Sequence, residues 1–177
     1  MIISRTPFRV SLFGGGTDYP KWYLEHGGTV FGFAINKYCY ISIRPLPPFF
    51  EHRHRIVYSE VEKVKELEEI RHPAVRGVLM DQGVDIGLEI HHDGDLPARS
   101  GLGSSSSFTV GLINCLAALK GTRMDPKPLA EEAIRIEQQV IALAHNPAQA
   151  TDPAQHRNAH GPCHNHDMRG QRSFFED

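Results

Sequence analysis

The chain has 177 residues, with 19 Lys and Arg against 21 Asp and Glu. That length accommodates one domain with a real core or a part of a larger enzyme. The near balance of charge excludes a global field that would gather nucleic acid or an anionic membrane, so any phosphate must be held locally. Cys39, Cys115 and Cys163 are odd in number and widely spaced, unlike a disulfide framework or a zinc ribbon, which predicts a reducing, cytoplasmic setting. The apolar N-terminus is broken by Arg5, Pro7 and Arg9, unlike a signal peptide, and no window reaches the length of a membrane span.

Phe8, Val10 and Leu12 alternate with Arg9 and Ser11, the period of a half-buried strand that ends at Gly14-Gly15-Gly16. After it, Asp18 is placed to cap a short helix with Pro20 in its first turn and Gly27-Gly28 at its end. Two β-rich runs, 29–35 and 37–44, follow with a bend expected at Asn36-Lys37. Val61, Val64, Leu67 and Ile70 on a charged background predict an amphipathic surface helix over 60–70, and a second helix is expected from Pro73. Ile86, Leu88 and Ile90 alternate as a strand, and Asp93-Gly94-Asp95 turns the chain into a glycine and serine loop that runs into a buried helix over 108–119. Asp125-Pro126 opens a last helix, with Leu129, Ala133, Ile136 and Val140 at helical spacing to about Leu143. Strands and helices mix without regular βαβ alternation, which predicts an α+β domain.

The loop Pro97-Ala98-Arg99-Ser100-Gly101-Leu102-Gly103-Ser104-Ser105-Ser106-Ser107 is the main chemical signal. Its glycines let backbone N–H groups approach phosphate oxygens, and the following helix points its positive end at the same place. It is not a Walker A motif, because no Lys follows the second glycine at the required place, nor a dinucleotide fingerprint, because Ser106 stands where Gly or Ala is needed. Read without context, the same residues also suit a flexible turn with Ser104 as helix cap. Glu137 is a candidate metal-binding carboxylate, the bland alternative being a solvated helix face such as Glu131 and Glu132 form.

Together with Pro7-Phe8-Arg9-Val10-Ser11-Leu12-Phe13-Gly14-Gly15-Gly16-Thr17-Asp18-Tyr19, the loop resembles the first two ordered motifs of the galactokinase, homoserine kinase, mevalonate kinase and phosphomevalonate kinase (GHMP) superfamily. The wording is closest to D-glycero-D-manno-heptose 7-phosphate kinases, over about residues 1–141. The resemblance implies a domain of the ribosomal protein S5 domain 2-like type and ATP-dependent phosphoryl transfer to a sugar hydroxyl, with a heptose 7-phosphate as acceptor. It implies that Pro97, Gly101, Leu102, Gly103, Ser104, Ser105 and Ser106 line the ATP phosphates, and that Ser104 or Ser105 with Glu137 holds Mg²⁺. By the same resemblance Arg9 lies near the transferred phosphoryl group, and Asp18, with Gly15, Gly16 and Tyr19, binds the sugar. As alternatives, Asp18 is only a cap and Arg9 only a strand-surface residue. His52-Arg53-His54-Arg55 is a candidate second anion site, with a solvated loop as the simpler account, and His91-His92 is read as an exposed pair.

The likeness then stops. From Ala144 to Asp177 there is no Val, Ile, Leu, Tyr or Trp, while five of the eleven histidines fall there. Such a segment buries too little apolar surface to offset its ordering entropy, so residues 1–143 are expected as the domain and 144–177 as an irregular tail foreign to the family. By the resemblance, the family's catalytic aspartate has no clear counterpart, with Gln149 near its place and Asp152 the nearest acid, and the family's C-terminal domain is expected to be missing. The expected partners are ATP and a small sugar phosphate, with no nucleic acid and no membrane, and homo-oligomerisation is left open. Against the enzyme stands an inactive chain that binds nucleotide or sugar phosphate only.

Overall fold

The computed structural model describes residues 1–15, 17, 20–97 and 100–141. The expected boundary at 143 and the tail beyond it lie outside them. Strands β1 (Ile2–Phe13), β2 (Phe31–Pro45), β3 (His54–Val57), β4 (Val61–Val64) and β5 (Leu88–Gly94) form one sheet in the order β1-β2-β5-β3-β4. Neighbours are antiparallel except β5 and β3, which run parallel. Helices α1 (Pro20–His26), α2 (Pro73–Asp81), α3 (Ser104–Leu119) and α4 (Pro126–Arg135) complete the α+β architecture.

Cross-strand pairing sorts the two faces. Ile43, Ile90 and Ile56 stand in one row across three strands and face the helices, in one core with Leu112, Ile113 and Leu116 of α3 and Val75, Val78 and Leu79 of α2. The neighbouring row, Arg44, Glu89 and Arg55, faces the other way. Glu89 is only 3% exposed, and its carboxylate accepts from both arginines, with Arg55 at 2.6 Å.

Helix α3 lies close over β1 at Gly111. A Cβ on Gly111 would come within 2.9 Å of Ser4 Oγ, and the Ser4 hydroxyl donates to the Gly111 carbonyl at 3.0 Å. Glycine on the helix facing serine on the strand is what permits that approach. Two further bonds fix the helix start: Ser107 Oγ donates to the Pro7 carbonyl at 3.0 Å, and the Arg9 N–H to the Leu102 carbonyl at 3.1 Å. The loop before α3 is thereby tied to the middle of β1.

Several expectations are corrected. The runs 29–35 and 37–44 are parts of one strand that starts at Phe31, and the irregularity expected at Asn36-Lys37 is a register shift within it: Pro7 pairs with Tyr38 and Arg9 with Ala34, so Asn36 and Lys37 fall in the shift, and a second shift lies between Ser11 and Phe13. Residues 60–70 are not a helix: β4 is followed by a 3-10 turn over Leu67–Glu69. The apolar spacing misled because Val61 is exposed while Glu62 is buried, its carboxylate accepting from the Tyr58 hydroxyl (2.9 Å) and the N–H groups of Arg71 and His72. Buried polar groups survive where such bonds satisfy them. Ile86 precedes β5 and is not part of it. The last helix gives way after Arg135 to a π-helical segment, Ile136–Ile141.

The histidines are also less exposed than expected. His54, in β3 and not in a solvated loop, is 1% exposed. His92 packs edge-on against Phe108, and His72 stacks on the same ring at 4.9 Å while its Nδ1 accepts the Val75 N–H at the start of α2. Burial pushes the pKa of all three below the ordinary histidine value of 6.5, helped by Arg53 beside His54 and by His92 beside His72. A histidine whose folded pKa lies below its unfolded one binds more protons when unfolded, so its stabilising effect is complete above about 6.5 and is lost as pH falls toward the folded value. Each contributes a slope of at most about 1.4 kcal/mol per pH unit. Urea midpoints are therefore expected to drop between pH 7.5 and 5.5, and an unchanged midpoint would show that these rings titrate alike in both states.

Candidate functional site

The turn from Gly101 to Gly103 is made by two left-handed residues, with φ of 76° at Gly101 and 77° at Gly103. L side chains disfavour that region by about 1–2 kcal/mol. Gly103, and not Ser104 as in the alternative reading of a plain capped turn, occupies the cap position of α3, and Ser104 is the helix's first residue. With no capping side chain at Gly103, the first N–H groups of a 16-residue helix are left for another acceptor. Arg9 lies directly against this turn: a Cβ on Gly103 would fall 2.9 Å from Arg9 Cγ and 3.2 Å from its Nε. The guanidinium and the helix N-terminus thus share one corner, beside the Leu102 carbonyl that accepts from the Arg9 N–H.

Glu137 reaches the same corner from the π-helical segment. Its Oε1 accepts from Ser105 Oγ (3.3 Å) and Thr109 Oγ1 (3.2 Å), and its Oε2 from Ser106 Oγ (3.2 Å). Ile136 beside it is fully buried, so the wide turn is anchored in the core on one side and presents a carboxylate on the other. π-helical turns are frequent at functional sites. Of the two serines considered for a metal, Ser105 is the one bonded to Glu137. The surrounding donors are oxygens, one carboxylate and hydroxyls, a set that fits a hard cation such as Mg²⁺. Among the described residues, no three His, Cys, Asp or Glu side chains converge as a metal cluster.

Arg9, the 101–106 loop and Glu137 are thus brought together. Pro97 stands exposed at the far end of the loop. Gly15, expected from the resemblance to help bind the sugar, sits exposed in the turn after β1, which closes through the Thr17 N–H and hydroxyl, both donating to the Gly14 carbonyl at 2.9 Å. Gly16, Asp18 and Tyr19 lie outside the described residues. The 52–55 quartet is not a free anion site, because Arg55 is paired with Glu89 and His54 is buried. Sequence reasoning missed Thr109. Its signal was present, since it follows Ser105 by four residues and so shares its helix face.

The family described as GHMP kinases N terminal domain matches residues 62–150, which includes the loop, α3 and Glu137. A galactokinase of Thermococcus kodakarensis is 32% identical over 139 residues, covering 72% of this chain and 37% of that protein. A D-glycero-alpha-D-manno-heptose 7-phosphate kinase of Campylobacter jejuni is 25% identical over 151 residues, covering 80% of this chain and 44% of its own. Among solved structures, a D-glycero-D-manno-heptose 1-phosphate kinase from Bacteriodes thetaiotaomicron superposes with a TM-score of 0.67 at 21% identity, over 80% of this chain and 49% of that one. Methanococcus jannaschii mevalonate kinase does so with 0.58 at 21%, over 77% and 46%. The chain spans about two fifths of the length of the curated relatives it matches. No described helix is long and apolar enough to cross a membrane. With the family's match over half its length and the same fold in kinases of several acceptors, this chain belongs to the GHMP kinases, whose N-terminal domain it carries.

Proposed function

We propose that this domain grips Mg-ATP for phosphoryl transfer to a sugar hydroxyl, with a heptose 7-phosphate as the acceptor. The observation that carries the proposal is the convergence of Arg9, the left-handed Gly101–Gly103 turn and Glu137 on the open N-terminus of α3. Backbone N–H groups there suit the phosphates, and the Arg9 guanidinium offsets charge that develops on the transferred group. Glu137, with Ser105, would hold Mg²⁺, which when bound supplies charge neutralisation on the phosphate oxygens. A heptose phosphate is favoured over galactose by the Gly14-Gly15-Gly16-Thr17-Asp18-Tyr19 wording at the acceptor end, where Asp18 accepts from sugar hydroxyls.

Calorimetric titration with Mg-ATP tests the nucleotide half. Glu137→Gln is expected to weaken Mg-ATP about tenfold while leaving metal-free ATP nearly unchanged, as removal of a metal ligand should. Equal Mg-ATP affinity in Glu137→Gln and Ser105→Ala would sink the assignment. A parallel ADP-release assay with heptose 7-phosphate and with galactose separates transfer from binding alone. Mg-ATP binding without release of ADP identifies the binding-only alternative.

A further inference from the structure

We infer that Thr109 is a positioning residue: its buried hydroxyl holds one oxygen of the Glu137 carboxylate so that the other is presented to a divalent cation, an inference that rests on the metal role proposed for Glu137. Three hydroxyls converge on that carboxylate, but they are not equivalent. Ser105 is exposed and Ser106 half-buried in the first turn of α3, where either can turn toward a ligand. Thr109 is one turn deeper and fully buried, with no solvent alternative for its hydroxyl. As a β-branched residue in a helix it has few side-chain rotamers, and the one present bonds Glu137 Oε1 at 3.2 Å. When Ser105 leaves Oε1 to take a ligand, Thr109 alone keeps that oxygen in place.

The backbone agrees with this division of labour. Ile136 is locked in the core, so the main chain at Glu137 is fixed, and what remains free is rotation of the carboxylate about its own stem. A donor on one oxygen removes that freedom. Partners of this kind, one bond behind a metal ligand, typically change metal affinity 10–100-fold when removed.

The test compares the affinity of the full chain for Mn-ATP with its affinity for ATP in EDTA, in wild type, Thr109→Val, Thr109→Ala, Thr109→Ser and Glu137→Gln. Thr109→Val is expected to cut the metal-dependent enhancement about tenfold with metal-free affinity unchanged, and Thr109→Ser to restore it to within about twofold. The alanine variant reads the same ratio should the valine fail to fold. Loss of enhancement in Glu137→Gln with none in Thr109→Val and Thr109→Ala overturns the positioning role and leaves Glu137 as a ligand. Full enhancement in Glu137→Gln, or none in wild type, overturns both. An equal fall in metal-free affinity would mean a loosened helix and also overturns the role of Thr109.

Discussion

Replacing Glu89 by alanine is expected to destabilise the domain by about 2–3 kcal/mol, read as a lower urea midpoint with an unchanged slope. Glu89 stands at the centre of a row across three strands, with Arg44 on β2 and Arg55 on β3 at the same register and His91 Nε2 at 3.0 Å from Oε1. Burial alone would raise its pKa, but hydrogen bonds from His91 and Arg44, with the charges of Arg44 and Arg55, outweigh it and hold the carboxyl below its ordinary value. Removing it leaves two guanidiniums facing each other across the sheet. Breaking a buried pair from one side costs about 3–5 kcal/mol, and the 45% and 38% exposure of the two arginine side chains argues for less here, because water screens them. The sign in acid follows from the lowered pKa: the contribution is complete above the unfolded carboxylate range and is lost as pH falls through the folded value. A Glu89→Ala midpoint equal to wild type at neutral pH would show that the row is decorative.

The second large effect is expected at the Gly101–Gly103 turn, proposed above to hold the ATP phosphates. Gly103→Ala should weaken ATP about thirtyfold or more, from about 2 kcal/mol of strain at φ of 77° together with displacement of Arg9. An added methyl would sit 2.9 Å from Arg9 Cγ, so the arginine must leave the corner or the turn must open. Either movement separates the guanidinium from the helix N-terminus. Gly101→Ala, where a Cβ meets nothing within 4 Å, carries the strain without the contact and is expected to lose less. Equal losses in the two variants would mean that Arg9 contributes nothing through its place on Gly103.

Local chemistry made part of this domain legible in advance. Alternation in β1, proline at the start of α2 and α4, and the glycine-serine loop before α3 all report on neighbours a few residues apart, where backbone preference decides. The same holds for Arg9 and the 101–106 loop, whose motifs point to the family. Residues 60–70 show where such reasoning ends. The spacing of Val61, Val64 and Leu67 suits a helix, yet the segment is a strand and a short turn because Glu62 finds three donors on Tyr58, Arg71 and His72, and none of those bonds is visible in a local period.

What residue types and spacing determined by themselves was a glycine turn at a helix start, an arginine on a strand and a carboxylate on a later helix, each with an innocent alternative. Tertiary structure decided that they meet. Ser4 and Gly111 let α3 settle close to β1, which sets Gly103 against Arg9, and the π-helical turn anchored by Ile136 swings Glu137 onto Ser105, Ser106 and Thr109. Contacts across 28 to 107 residues of chain depend on the height of a helix over a sheet and the width of one helical turn. Those are packing quantities, set by the whole core at once and carried by no single stretch of sequence.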